Sequence, residues 1–244
     1  DDLADHIMRA RNAALGRSEH HMKVGALSWD KQNILGQSNS SVFKGMYNNI
    51  KVCAIKKITH SGMPAERQCC EEEVKRLVGL QDIPNNLNII QYYAHEEYAD
   101  SFYLAMELAD SGTLLDLIRS HGLGSWAQRK HFCRQLCRGL LTLHNKASIV
   151  HRDLKPSNIL LSRQGAVKLA DWGLAHMVHG VEQRQSSSGS MGYMSPEQWA
   201  GAPTDHRSDL FTLGILLYEM ATGSSLVGQL IEHQRAIREI ELQV

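Results

Sequence analysis

No run of apolar residues in this sequence approaches the roughly 20 that a membrane-spanning helix requires. The longest, Leu210 to Ala221, is too short and carries Glu219. Net charge is missing as well. Lys and Arg number 26, Asp and Glu number 26, and the formal charge is +0. A nucleic-acid partner held mainly through phosphate contacts calls for a basic excess, so none is expected. Cysteine is sparse and forms no motif. Cys53, Cys69, Cys70, Cys133 and Cys137 include no Cys-x-x-Cys pair and are odd in number, which points to reduced thiols in a cytoplasmic setting. Cys133 and Cys137 stand i, i+4 on an expected helix, where packing outweighs metal binding. The opening Asp1-Asp2-Leu3 has neither the basic nor the apolar stretch of a secretory signal. No internal repeat is present.

What is there fits a soluble globular chain. Its 244 residues, 43% hydrophobic and 21% charged, suffice for one large domain or two small lobes. Residues 1–20 are polar. From Val24 the pattern turns to short strands, with one ending at Ile34-Leu35-Gly36 and the next beginning at Val42-Phe43-Lys44-Gly45. A third spans Val52 to Ile58, after a turn at Tyr47-Asn48-Asn49. A helix is expected from Ala65 to Leu80, with Pro64 at its start. Strands follow near Ile89–Tyr93 and Phe102–Glu107. After Asp110-Ser111-Gly112 the pattern becomes helical: Leu114 to Arg119, then Trp126 to His144, with Cys133, Leu136, Cys137, Leu140 and His144 on one stripe. A last helix is expected from Ser208 to Thr222.

The chemistry concentrates in Ile149-Val150-His151-Arg152-Asp153-Leu154-Lys155-Pro156-Ser157-Asn158 and, after a short gap, Val167-Lys168-Leu169-Ala170-Asp171-Trp172-Gly173. Ile159–Leu161 and Val167–Ala170 read as a hairpin turned through Ser162 to Ala166, with Gly165 as its flexible residue. Antiparallel pairing puts Asn158 beside Asp171 and leaves Asp153 one short loop away. That set suits a hard cation, which takes oxygen ligands and borrows others from phosphates. Asp153 could hold a hydroxyl, and Lys155 could neutralise a migrating phosphoryl group. Any one of these residues alone would read as a cap or turn residue; the whole string would not.

These motifs resemble the eukaryotic protein kinase family. His151-Arg152-Asp153 to Asn158 is similar to its catalytic loop, and Asp171-Trp172-Gly173 to its metal-binding Asp-Phe-Gly signature, with Trp in place of Phe. The resemblance implies that Asp153 orients the attacking hydroxyl and that Asn158 and Asp171 hold Mg²⁺ on ATP. Lys155, two places after Asp153, resembles the serine/threonine branch. Cys53-Ala54-Ile55-Lys56 resembles the family's nucleotide-lysine strand. By period two, Lys56 shares a face with Val52, Ala54 and Ile58, and a lysine there needs an anionic partner or a route to water. Glu73 falls on the same stripe as Cys70, Leu77 and Leu80, whereas Glu71 and Glu72 do not. The implied pair is therefore Lys56–Glu73, with Lys56 on the α/β-phosphates. Ile34 to Gly45 resembles the glycine-rich phosphate loop. Only Gly36 of its three glycines is kept, and serines replace the others. The resemblance further places Val42 and Ala54 against the adenine, Met106 at the back of the pocket, and Glu107 to Ala109 as the hinge that meets the adenine edge.

The stretch from Asp171 to Glu197 resembles an activation segment, with Ser195-Pro196-Glu197 similar to its Ala-Pro-Glu end. Its serines are the expected switch: phosphate on Ser186, Ser187 or Ser188 would pair with Arg152, and Ser190 would lie beside the substrate site. Asp209 resembles the buried aspartate that ties the Leu210–Ala221 helix to the catalytic loop. Several helices that follow in the family, and the usual arginine partner of Glu197, are not expected here. An amphipathic Gln229–Leu242 stands in that place, so a truncated C-lobe is the reading. A fainter resemblance, in Val24 to Trp29 and Gly45 to Asn49, is to the unfolded-protein-response sensor kinases that carry a ribonuclease tail.

The expected fold is therefore α+β and bilobal, kinase-like: an extension over 1–23, a sheet-rich N-lobe with one regulatory helix over 24–106, and a helical, incomplete C-lobe over 107–244. The expected activity is serine/threonine phosphotransfer from Mg-ATP to a protein substrate, with no membrane segment in the chain. Two rivals belong to other classes. One is a pseudokinase scaffold without turnover. The other is a regulatory module in which nucleotide binding sets homodimerisation.

Overall fold

The computed structural model describes residues 10, 12–13, 15–16, 18, 20–37, 41–59, 67–68, 71, 74, 87–172 and 192–229. It divides into two compact units, Asp1–Pro84 with Ile90–Ala109, and Asn85–Ile89 with Asp110–Val244. Among the described residues no helix is long and apolar enough to cross a membrane.

The first unit is a six-stranded antiparallel sheet in the order β1-β2-β3-β4-β6-β5. Its strands are β1 (His21–Val24), β2 (Leu27–Gln37), β3 (Ser41–Tyr47), β4 (Lys51–Thr59), β5 (Tyr92–Tyr98) and β6 (Ser101–Met106). The turn from β3 to β4 holds Asn48 and Asn49 at φ 52° and 56°, a left-handed pair that asparagine tolerates better than most residues and that suits the twist of a hairpin. One sheet face makes the core: Met22, Val24, Leu27, Trp29, Phe43, Cys53, Ile55, Tyr103 and Ala105. Trp29 lies 4.8 Å from Tyr103, ring centre to ring centre. Gly45 allows this packing, because a Cβ there would stand 2.6 Å from the Ser28 carbonyl oxygen. The sheet curls until its edges meet. Glu96 on β5 accepts a hydrogen bond from the Ala26 N–H, in the turn between β1 and β2, at 2.9 Å. Burial pushes the Cys53 thiol up to about 11, so it stays a packing residue rather than a nucleophile. Cys53, Cys133 and Cys137 are free thiols; Cys69 and Cys70 lie outside the described residues.

Two edges of the sheet differ from the sequence pattern. His21–Lys23 fall within the expected extension yet form most of β1. The strand expected near Ile89–Tyr93 instead runs Tyr92–Tyr98, while Ile89 and Ile90 are buried at 0% and 1% exposure and Ile89 bridges to Leu169 in the second unit. The apolar signal at 89–90 therefore reflects burial. The strand itself is a polar edge, Tyr-Tyr-Ala-His-Glu-Glu-Tyr, whose alternation is weak. Of the helix expected over 65–80, the described residues Arg67, Gln68, Glu71 and Val74 are helical.

The second unit carries α1 (Leu114–Arg119), α2 (Trp126–Leu141), a two-stranded hairpin of β7 (Ile159–Leu161) and β8 (Val167–Leu169), α3 (Pro196–Trp199) and α4 (His206–Thr222). Thr113 and Ser125 start α1 and α2 with reciprocal capping boxes through Asp116 and Gln128, which satisfies N–H groups the helix cannot. The α2 backbone widens into a π turn over Thr142–Lys146, so the α-helix ends three residues before the expected His144. Gln135, buried on α2, accepts from the Asn88 amide and the Val167 N–H and donates to the Gly165 carbonyl. It thereby fixes the hairpin against the helix. Gly139 lets the two approach, since a Cβ there would meet Leu169 Cδ1 on β8 at 2.8 Å. Gly223, at φ 73°, terminates α4. Beyond Gln229, the expected amphipathic segment lies outside the described residues.

Candidate active site

The chemistry of the second unit begins with the loop between the π turn and β7. Pairing of Ile159 with Leu169 continues outward as a bond from the Ala170 N–H to the Asn158 carbonyl at 3.0 Å. The ladder so brings Asn158 alongside the residues that lead into Asp171. Pro156 opens a 3₁₀ turn, Pro156–Asn158, which aims Asn158 back at the loop. Its Nδ2 donates to the Asp153 carbonyl at 2.7 Å and to Asp153 Oδ2 at 3.0 Å. Lys155 Nζ donates to the same Oδ2 at 2.8 Å. With both amide hydrogens on Asp153, the Asn158 side-chain oxygen is the atom left for a cation. Asp171 stands at φ 63°, a left-handed conformation unusual for a non-glycine residue and typical of functional sites. Among the described residues there is no cluster of three or more His, Cys, Asp or Glu that could hold a metal by itself.

Behind the loop, Asp209 on α4 is 1% exposed and accepts three hydrogen bonds. The His151 N–H reaches Oδ2 at 2.7 Å, the Arg152 N–H reaches Oδ1 at 2.8 Å, and His144 Nε2 reaches Oδ2 at 2.8 Å. This clamp holds Arg152 at φ 64°. His151 is fully buried and meets the Trp172 ring edge to face at 6.1 Å. Burial lowers its pKa, against the opposing pull of Asp209, Asp153 and Asp171, so the ring stays neutral. The sign follows: with the folded pKa below the unfolded value near 6.5, the unfolded chain binds more protons below that pH, and stability falls on acidification. From pH 7 to pH 5.5, thermal unfolding should lose up to about 1.4 kcal/mol per pH unit below 6.5 to this group. His151→Phe should show a shallower loss, and an identical pH slope would remove the assignment.

In the first unit the register gathers the residues expected on the nucleotide. Val42 pairs with Lys56, Ala54 with Met106, and Lys56 with Leu104. All five lie on the sheet face opposite the core. Lys56 is 7% exposed there. Gly36 pairs with Val42, and a Cβ on it would meet no atom within 4 Å. Glu107 follows β6, its N–H on the Gln91 carbonyl at 2.7 Å, and Ala109 closes the unit. Glu73, Ser38, Ser40, Gly173, Ser186, Ser187, Ser188 and Ser190 lie outside the described residues.

Three groups escaped the sequence pattern. His144 reads as a stripe residue but bonds Asp209. Glu219, an interruption of an apolar run, is 0% exposed. It accepts from the Tyr193 hydroxyl at 3.1 and 3.2 Å and from Ser225 Oγ at 2.9 Å. Burial and this carboxylate push the Tyr193 phenol up. Gln198 donates from Nε2 to the Arg152 carbonyl at 2.7 Å. Glu197 accepts from the Ser208 hydroxyl, which draws its carboxyl below the usual range.

Comparison with known proteins gives the family. A family model for the protein kinase domain matches residues 29–243, and the chain belongs to the protein kinase family. Similar proteins include mitogen-activated protein kinase kinase kinase 1a of Physcomitrium patens, 32% identical over 205 residues, which are 83% of this chain and 27% of that protein. Mitogen-activated protein kinase kinase kinase 5 of Arabidopsis thaliana is 33% identical over 209 residues, 80% of this chain and 28% of the relative. Human serine/threonine-protein kinase ULK1 is 30% identical over 215 residues, 83% and 20% respectively. The chain thus spans between a fifth and somewhat over a quarter of the length of these three relatives.

Proposed function

We propose that this chain transfers the γ-phosphate of Mg-ATP to serine or threonine hydroxyls of protein substrates. The observation that carries the reading is the shared carboxylate: Lys155 Nζ and Asn158 Nδ2 both bond Asp153 Oδ2, on a loop held in a strained conformation by Asp209. In that arrangement Asp153 accepts the proton of the attacking hydroxyl. Lys155 leaves Asp153 for the migrating phosphoryl group and offsets its charge. The Asn158 side-chain oxygen and the Asp171 carboxylate are the residues that would hold Mg²⁺, a pair of oxygen donors that suits a cation completing its shell from phosphate and water. When bound, the ion neutralises charge on the phosphates. Lys56, for which the resemblance implies Glu73 as partner, holds the α/β-phosphates; Val42, Ala54 and Met106 line the adenine, and the Glu107 to Ala109 backbone meets its edge. The names of the relatives, and Lys155 itself, favour serine and threonine as acceptors.

Regulation follows from Arg152, whose Nε is buried without a hydrogen-bond partner among the described residues. A phosphate on Ser186, Ser187 or Ser188 would supply the acceptor.

Nucleotide titration tests the first half of the site. Lys56→Met should weaken binding of a fluorescent ATP analogue on the order of tenfold or more, the worth of a charge-assisted hydrogen bond. Gly36→Val should weaken it as well while leaving the melting temperature unchanged, because the fold itself leaves room for a side chain there. Unchanged affinity in both variants would remove the nucleotide from this sheet face.

A further inference from the structure

The structure assigns a positioning role to Gln198, which fastens the end of the segment leading into α3 to the peptide that bears Asp153. This inference rests on the kinase reading above. Three consecutive peptides around Asp153 are each held by a specific partner. The Arg152 N–H goes to Asp209, and the Asp153 N–H goes back to the His151 carbonyl at 2.8 Å. The Asp153 carbonyl accepts from Asn158. The remaining group is the Arg152 carbonyl, the oxygen of the peptide from which Asp153 hangs. It accepts from Gln198 Nε2 at 2.7 Å, across 46 positions of sequence.

The orientation of the Gln198 amide is determined by its other end. Oε1 accepts from the Ser195 N–H at 3.1 Å and from Ser195 Oγ at 3.2 Å. Ser195 is 0% exposed and opens α3 with a reciprocal capping box to Gln198. Two donors on Oε1 leave only the NH₂ group to face Arg152. Gln198 is therefore an adapter: an acceptor for the anchored serine, and a donor for the loop. Arg152 stands at φ 64° and is held from both sides, its N–H by Asp209 and its carbonyl by Gln198. Release of either side lets the Arg152–Asp153 peptide turn, and a rotation there swings the Asp153 carboxylate. The coupling also runs in the other direction. Residues 192–195 are fixed to α4 by Thr212 Oγ1, which donates to the Tyr193 carbonyl at 2.7 Å, and by the Tyr193–Glu219 bond. Gln198 carries that placement to Asp153, so the seating of this segment and the aim of the base are linked through one amide.

Gln198→Glu is the informative change. It preserves size and the acceptor for Ser195 but faces the Arg152 carbonyl with a second oxygen in place of a donor. Steady-state kinetics on the folded chain should show kcat lowered on the order of ten- to a hundredfold, the effect of misplacing a reacting group by about an ångström. KM for ATP should stay within about twofold, because Gln198 touches no nucleotide residue. Gln198→Met, which removes all three side-chain hydrogen bonds without adding charge, should show the same split. A merely structural role would lower the folded fraction and leave kcat per folded molecule unchanged in both variants, and that result overturns the inference. Wild type and Asp153→Asn run beside them. A wild type without turnover would overturn the kinase reading and this inference with it. An active wild type with undiminished kcat in the Gln198 variants would overturn this inference alone.

Discussion

Asp153→Asn should lower the rate of phosphotransfer on the order of 10²- to 10⁴-fold, the range that a positioned general base contributes, while nucleotide affinity stays within about twofold. The substitution keeps the shape of the side chain. Asparagine can still accept from Lys155 Nζ and from Asn158 Nδ2, whose present distances are 2.8 and 3.0 Å. What it loses is the charge and the basicity that receive a hydroxyl proton. The Asp153 side chain is 23% exposed in its ion pair with Lys155, and exposed pairs of this kind contribute about 0–1 kcal/mol. The melting temperature should therefore move by a few degrees at most. Single-turnover kinetics with labelled ATP separates the two effects. A variant that transfers phosphate at the wild-type rate would show that the Lys155–Asp153–Asn158 cluster is a structural loop only.

Asp209→Asn should strongly destabilise the second unit. Asp209 is an acceptor-only side chain receiving three donors, two from the backbone at His151 and Arg152 and one from His144, and it is buried. Asparagine offers one oxygen and turns an NH₂ group toward a donor. At least one buried N–H is then orphaned, and each orphan costs about 1–3 kcal/mol. The left-handed Arg152 also loses its counterweight. A total of roughly 2–5 kcal/mol corresponds to a fall of about 5–15 °C in melting temperature for a domain of this size. Differential scanning measures this directly. His144→Ala, which removes one donor and leaves both backbone bonds, should cost less than half as much. Equal losses in the two variants would show that the backbone clamp is not what Asp209 contributes.

The parts of the site that were legible in the sequence are those whose geometry is local. Asp153, Lys155 and Asn158 sit on one loop, so their meeting follows from chain spacing, and antiparallel pairing carries Ala170, next to Asp171, to Asn158. The face shared by Ala54 and Lys56 follows from the two-residue period of one strand; Val42 and Met106 were readable only through resemblance, and the strand register puts them on that face. Asp209 was readable only through resemblance, since nothing in its neighbours announces a backbone clamp. Gln135, Gln198 and Glu219 were not legible. Each is a polar residue on a helix, a class normally exposed, and each is buried or engaged because one partner arrives from 26 to 47 positions away. The edges of the sheet were obscured for a different reason. β5 is rich in polar residues and alternates weakly, whereas β1 alternates, with Met22 and Val24 in the core, but is only four residues long.

Serine/threonine phosphotransfer by this chain is measured by transfer of label from γ-³²P-ATP, with Mg²⁺, to the folded chain itself or to a generic basic protein. The expected result is label that survives as phosphoserine or phosphothreonine after acid hydrolysis and disappears in Asp153→Asn. A folded chain that binds ATP yet transfers no label, or places it on tyrosine, would contradict it.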